Sequence, residues 1–277
     1  MSVTVTLELY SGRLNPSWEL DNLQIRELAD RIRNVTTTTL LKPPGIVGGL
    51  GYRGFRIQSV RVPDLDPHIY IHSGVIDLDR FDINRVEQTP EIEEWLLSTA
   101  DGAVEHDERS FVVQQIKPQF AARTSSHLAP LVVPTFDPGK WNNDPNVRAN
   151  NNCYNYANDK ITNTFAQPGR GSGLIYIEYE CGAVGAASER DGQISVPNPS
   201  TTPSQGHFIA LVVWPGNDYH WYRLDANGMW SHKPGSTPAR NTDNSGRVIS
   251  DPKTCDRGPY TSFCGYYHCV PSQTRIN

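Results

Sequence analysis

The sequence predicts an α+β protein: a small N-terminal α+β domain, then a domain in which a cysteine-bearing helix packs on an antiparallel β-meander. Three observations carry that expectation. The first hundred residues read in the order strand, helix, strand, strand, helix. Ala121 to Asn150 is rich in Pro, Asp, Asn and Gly, as a linker is. Three strand-like segments beyond His207 are joined by turn residues that include Asn227-Gly228, a strong short-range hairpin signal. A chain of 277 residues can bury two modest cores. We therefore expect residues 1–120 to form the first domain, of unknown role, 121–150 a linker, and 151–277 the second domain.

In the first domain Val3 to Tyr10 alternates apolar and polar residues as a half-buried strand does, and Ser11-Gly12-Arg13-Leu14-Asn15-Pro16 is a turn. A helix follows, with Asp21 as its cap and Leu23, Ile25, Leu28, Ile32 and Val35 at helical spacing. Gly54 to Val62 and His68 to Ile76 alternate again and are rich in β-branched residues. Thr89-Pro90-Glu91 opens a second helix, with a cap, a proline in the first turn and acids at the positive helix end, and Ile92, Trp95, Leu96 and Leu97 facing the strands. That order lays helices on one side of a small sheet. One more element centres on Phe111, Val112 and Val113.

In the second domain Cys153 to Phe165 reads as a helix with Tyr156, Ile161 and Phe165 on one face, ended by Pro168-Gly169. Leu174 to Tyr179 reads as a strand and Gly182 to Gln205 as a loop. The meander comprises His207–Trp214, Tyr219–Asp225 and Met229–His232.

Charges are interspersed, with a net charge of -5 and a pI near 5.9 and no basic run, which excludes nucleic acid as a partner class. No stretch approaches the roughly 18 apolar residues of a membrane span. The start, Met1-Ser2-Val3-Thr4, has neither the basic nor the apolar region of a signal peptide. The reading is a soluble chain away from membranes. The five cysteines are an odd number: Cys153 is taken as free, and Cys181, Cys255, Cys264 and Cys269 have the number for two disulfides, which suits an oxidising compartment. Localisation is thus open, with processing, or non-classical export to the extracellular space, reconciling the two signs. The sequon Asn34-Val35-Thr36 is too common a pattern to decide. A zinc site from Cys255, Cys264, His268 and Cys269 has no CxxC pair and fits no standard finger, so neither a metal nor another cofactor is expected.

The chemistry centres on Cys153. A thiol at a helix start feels the positive helix end and its unpaired N–H groups, which favour the thiolate and can hold an oxyanion. Asn151 and Asn152 supply one residue to cap the helix and one to lend an amide donor. The plain alternative is a buried cysteine acting as a small apolar side chain, the commoner fate of a lone cysteine. A thiol nucleophile needs a base within hydrogen-bond reach and a third group to orient that base. His207 and Asp225 are placed for this if the hairpin loop has three residues, pairing Trp214 with Asp218; a four-residue loop turns them to opposite faces. His220 is the rival or supporting base. His232, Trp221 and Trp230 are candidate substrate contacts, or else packing in a sheet that favours aromatics.

The segments Gly206-His207-Phe208-Ile209-Ala210-Leu211-Val212-Val213, His220-Trp221-Tyr222-Arg223-Leu224-Asp225 and Asn151-Asn152-Cys153-Tyr154-Asn155-Tyr156-Ala157 resemble the histidine strand, the acid strand and the cysteine helix of papain-like bacteriocin-processing peptidases. More loosely they are similar to bacterial cell-wall cysteine peptidases. Lys140 to Pro271 also resembles an uncharacterised group of bacterial and invertebrate proteins. The resemblance implies a papain-like fold, Cys153 as nucleophile, His207 as general base and acid, Asp225 as orienter, and a peptide or protein substrate. One departure is the oxyanion glutamine ahead of the cysteine: the nearest is Gln119, so Asn151, Asn152 or backbone groups must serve. The expected function is a thiol-dependent hydrolase cleaving a peptide or amide bond through a thioester. The alternative is a non-enzymatic binding or structural protein on a papain-like shell, or a disulfide-stapled extracellular module. Self-association is compatible with either.

Overall fold

The structure, a computed structural model, describes residues 2–35, 49–63, 65–72, 74–78, 84–86, 91–116, 133–199, 203 and 205–277. It is a mixed α+β protein with two antiparallel sheets and several helices. Its contacts divide the chain into two units. One comprises Met1–Leu9, Asn15–Val47 and Tyr52–Ala122, and the other Tyr10–Leu14, Gly48–Gly51 and Arg123–Asn277. Among the described residues, no helix is long and apolar enough to cross a membrane.

The first unit contains β1 (Ser2–Leu7), β2 (Ser17–Glu19), α1 (Asn22–Asn34), β3 (Phe55–Val60), β4 (His68–His72), β5 (Val75–Leu78), β6 (Asn84–Val86), α2 (Glu91–Ser98) and α3 (His106–Gln115). The strands form one sheet in the order β2-β1-β3-β4-β5-β6. The stretch read as one strand from His68 to Ile76 is instead a hairpin, because the chain reverses at Gly74, whose φ of 72° suits a residue without a Cβ. Asp21 caps α1 as its sequence suggests, accepting from the N–H groups of Leu23 and Gln24 while Gln24 returns a bond to Asp21 N. Leu23, read as part of the apolar stripe, faces solvent instead. The core holds a buried charge cluster: Arg53, fully buried, lies 3.7 Å from Glu8, which also accepts from Arg56 Nε at 2.8 Å. Thr89, Pro90 and the sequon's Thr36 lie outside the described residues.

The second unit carries α4 (Gly139–Asn142), α5 (Pro145–Asn150), α6 (Cys153–Ala157), α7 (Cys181–Arg190), β7 (Ile194–Val196), β8 (His207–Trp214), β9 (Asp218–Leu224), β10 (Trp230–His232) and β11 (Ser262–Cys269). Its sheet runs β10-β9-β8-β11-β7. The helices α4 and α5 fall inside the stretch read as linker, of which 121–132 lie outside the described residues. The helix at Cys153 stops at Ala157, well short of Phe165. Leu174 to Tyr179 is not a strand, and the loop expected from Gly182 holds most of α7 and all of β7. The strand β11, between β8 and β7, has no clear sequence signal, since its alternation is broken by a register shift between Phe263 and Gly265.

Sheet alternation sorts the side chains into two layers. Ile209, Leu211 and Val213 of β8 and Tyr219 and Trp221 of β9 face α6 and α7, packing with Cys153, Tyr154, Ala157 and Val184. Phe208, Ala210 and Val212 face the opposite layer, with Tyr222, Trp230, Ile249 and Tyr260. Both faces are therefore buried, which is why β8 reads as a continuous apolar run.

Candidate functional site

The β8–β9 hairpin adopts the three-residue loop. Trp214 pairs with Asp218 and Ile209 with Arg223, the register that puts His207 and Asp225 on one face. That face is the one that carries Cys153. His220 pairs with Val212 and His232 with Tyr222, so both histidines lie on the other side of the sheet, as does Trp230. Their partners are each other: His220 Nε2 lies 2.8 Å from His232 Nδ1, and His232 Nε2 lies 3.0 Å from the Thr242 carbonyl. The rival base and two of the three expected substrate contacts are therefore separated from the thiol by the sheet itself.

The three residues that do share a face are engaged elsewhere. Cys153 has no exposed surface. Burial pushes its thiol pKa well up and Asp218 adds to that, and a backbone N–H bond from Trp221 opposes them only in part. The five residues of α6 thus do not deliver a thiolate, because desolvation outweighs the helix end. His207 Nε2 lies 2.6 Å from the Ala157 carbonyl, and burial lowers the ring's pKa to about 4. Asp225 is held by its neighbour one residue removed: Arg223 Nε donates to Asp225 Oδ1 at 2.9 Å, while its Nη1 donates to Asp159 at 3.0 Å and its Nη2 to Tyr156 Oη at 3.1 Å. The carboxylate that was to orient the imidazole instead balances a buried guanidinium.

The two asparagines are likewise consumed. Asn152 caps α6, its Oδ1 accepting from Tyr154 N and Asn155 N, and both protons of its Nδ2 go to carbonyls, of Gly12 at 3.2 Å and Ala166 at 2.7 Å. Asn151 uses Nδ2 for the Val147 carbonyl and Asn163 Oδ1, and Oδ1 for the N–H groups of Thr162 and Asn163. With every donor bound to main chain or side chain, neither has an amide left for an oxyanion. Trp221 is a core residue, its ring 5.7 Å from Tyr154 and 5.2 Å from Tyr267.

What this region builds is a set of buried polar clamps, most of them on residues that sequence reasoning passed over. Asp218, fully buried at the start of β9, accepts from the backbone N–H groups of Ser11, Gly12 and Arg13 at 2.6 to 3.1 Å and from the Tyr260 hydroxyl. Lys233 donates from Nζ to the carbonyls of Arg148 at 2.6 Å, Gly235 at 2.7 Å and Asn151, closing the carbonyl end of α5. Asp191 takes the Tyr154 hydroxyl at 2.8 Å and the N–H groups of Gly169 and Ser172. Asn244 brackets Leu50, accepting from its N–H and donating to its carbonyl. A signal was available for one of them, since Arg223 occupies an inward position of an alternating strand, where a charge must find partners.

The cysteines complete the picture. Cys181 and Cys264 form a disulfide across a separation of 83 residues, joining the start of α7 to β11. Only this bridge forms among the described residues; Cys255 and Cys269 are free thiols, so the two-disulfide expectation is corrected. Cys269 is buried beside Asn158, and Cys255 is half-buried near the Tyr222 hydroxyl. With Cys264 in the bridge, the zinc grouping weighed from the sequence loses a ligand. Among the described residues no three His, Cys, Asp or Glu side chains converge as metal ligands.

No family model matches the sequence, and no solved structure matches it. The chain is 54% identical over 142 residues to insoluble matrix shell protein 1 of Ruditapes philippinarum, an alignment that covers 51% of this chain and 93% of that protein. This similarity to an insoluble matrix shell protein overturns the papain-like membership and the thiol-hydrolase reading. The buried thiol, the engaged imidazole and the ion-paired Asp225 are the physical counterpart of that correction. The chain belongs to the family of insoluble matrix shell protein 1.

Proposed function

We propose that this chain is a non-enzymatic structural protein of an extracellular shell matrix, held there by association with itself or with other matrix components. The observation that carries the reading is the 54% identity to a shell matrix protein across 93% of that protein's length. Two features support it. The Cys181–Cys264 bridge is the kind of cross-link that persists in an oxidising, extracellular setting. The polar residues that would have served catalysis are used to pin loops to the sheet, which is what a scaffold requires of them.

The test is recovery of the native protein. Source material is demineralised in a chelator, extracted with detergent, and both residue and extract are read by mass spectrometry. The expected result is enrichment of peptides from this chain in the insoluble extracellular residue. Recovery from cell lysates with none in the matrix residue overturns the reading. A parallel assay of the purified chain against peptide and amide substrates is expected to show no difference between wild type and Cys153→Ala.

A further inference from the structure

Residues 174–180 are held firmly, with Tyr176 and Tyr179 packed on the core, yet show three aliphatic side chains to solvent. Leu174 N donates to the Gly169 carbonyl at 2.9 Å, and the Leu174 carbonyl accepts from Arg190 Nη2 at 2.9 Å. The Tyr176 hydroxyl donates to Gln167 Oε1 at 2.9 Å, the Tyr179 carbonyl accepts from Gly216 N at 3.1 Å, and the disulfide fixes the next residue, Cys181. Despite five anchors, Leu174 is 59% exposed, Ile175 41% and Ile177 87%. Leu14, 76% exposed, stands beside them. A single exposed aliphatic residue is ordinary, but a pinned ridge of them is the mark of an interaction surface.

The ridge borders its own receptor. A cleft of about 460 Å³ opens between Leu14, Phe165, Arg170, Ile175, Tyr176 and Tyr179. Phe165, on its wall, sits at a φ of 52°, a conformation disfavoured for an aromatic residue. The charges repeat the complementarity. Arg170 is exposed at the cleft, while Glu178 and Glu180 are exposed on the ridge, and none of the three makes an ion pair among the described residues. A patch that holds both a protrusion and a hollow, both a cation and acids, satisfies the requirement of a two-fold interface, in which each residue meets its complement on the other copy.

We propose that a second copy of this chain docks on this surface, the Leu174–Ile177 ridge of each copy entering the cleft of the other and Arg170 meeting the Glu178–Glu180 edge. The inference deepens the structural reading above and rests on it, by naming one contact through which the matrix protein associates.

The experiment is sedimentation velocity on the full, disulfide-intact chain over about 1–100 µM, where interfaces of modest size associate. Wild type is expected to sediment as a dimer at the upper end. Ile177→Asp should raise the dissociation constant by about tenfold or more, with circular dichroism unchanged because the side chain is almost fully exposed. Arg170→Glu should weaken the dimer, and combining it with Glu178→Arg and Glu180→Arg should restore it to within about threefold of wild type. Leu23→Asp, on an exposed position of the other unit, should have no effect. A wild-type monomer throughout, an Ile177→Asp dimer as tight as wild type, or no recovery in the charge-reversed protein overturns the proposal. A monomer recovered from the insoluble matrix loses this interface and keeps the matrix role; a dimer absent from that matrix loses the role and keeps the interface.

Discussion

A thiol stripped of water stays protonated where nearby charges and hydrogen bonds offset the loss only in part, and a buried imidazole stays neutral on the same ground. Both conditions hold here, and both yield measurements. In the native protein iodoacetamide should modify Cys255, the half-buried thiol, ahead of Cys153 and Cys269, which should react only on unfolding; mass spectrometry of the digested protein reads this. Preferential labelling of Cys153 would refute the assignment. For His207 the sign is set by its low native pKa of about 4 against about 6.5 unfolded. Between those values the unfolded chain binds more protons than the native one, so the stabilisation is fully present above about pH 6.5 and is lost as pH falls toward 4. The difference is worth about 3 kcal/mol. Urea midpoints at neutral pH and near pH 5 should converge in His207→Gln relative to wild type. Residue identity was readable at these positions, but protonation state was not, because burial is contributed by elements distant in sequence: β8 packs under α6, and β11 beside it.

At the scale of elements, local rules were legible wherever the signal was short-range. Asp21 and Asn152 cap their helices, as expected of such residues before a helical run, and the strands β8 and β9 follow from their apolar content. Asn152→Ala removes a cap and leaves the buried Ala166 carbonyl without its side-chain donor, so it should lower stability by about 2–3 kcal/mol in urea unfolding. The element that failed most clearly was Leu174 to Tyr179, whose strand-like composition is spent on an exposed ridge because neighbouring anchors fix its backbone outside the sheet. The disulfide at its end closes an 83-residue separation; reducing it should cost on the order of 4 kcal/mol, seen as a lower denaturation midpoint with dithiothreitol. Its pairing could not be read from five cysteines, since nothing in their spacing brings Cys181 next to β11.

For the molecule as a whole, the second unit is not a continuous stretch of chain. It includes Tyr10–Leu14 and Gly48–Gly51, and the first of these supplies three N–H donors to the buried Asp218 carboxylate. A fragment of residues 123–277 would leave Asp218 short of those donors, and Asn244 without Leu50. Hydrogen bonds to a charged group are worth about 1.5–3 kcal/mol each. Losing three of them removes stability comparable with that of an average domain. The fragment is therefore expected to show no cooperative calorimetric transition, whereas the full chain does; a fragment melting at the full chain's Tm would refute this account.

The sequence by itself determined the α+β class, the helix caps, the β8–β9 hairpin and the presence of a cysteine at a helix start, because each depends on residues a few positions apart. Only the tertiary structure decided what Cys153, His207 and Asp225 do. Their roles turn on desolvation and on partners such as Ala157 and Arg223, which three-dimensional packing selects. The same six or seven residues that spell a cysteine helix and a histidine strand are compatible with catalysis or with a sealed core. Burial, a property of the whole packed unit, is what sets the two apart, and it is not written in those residues.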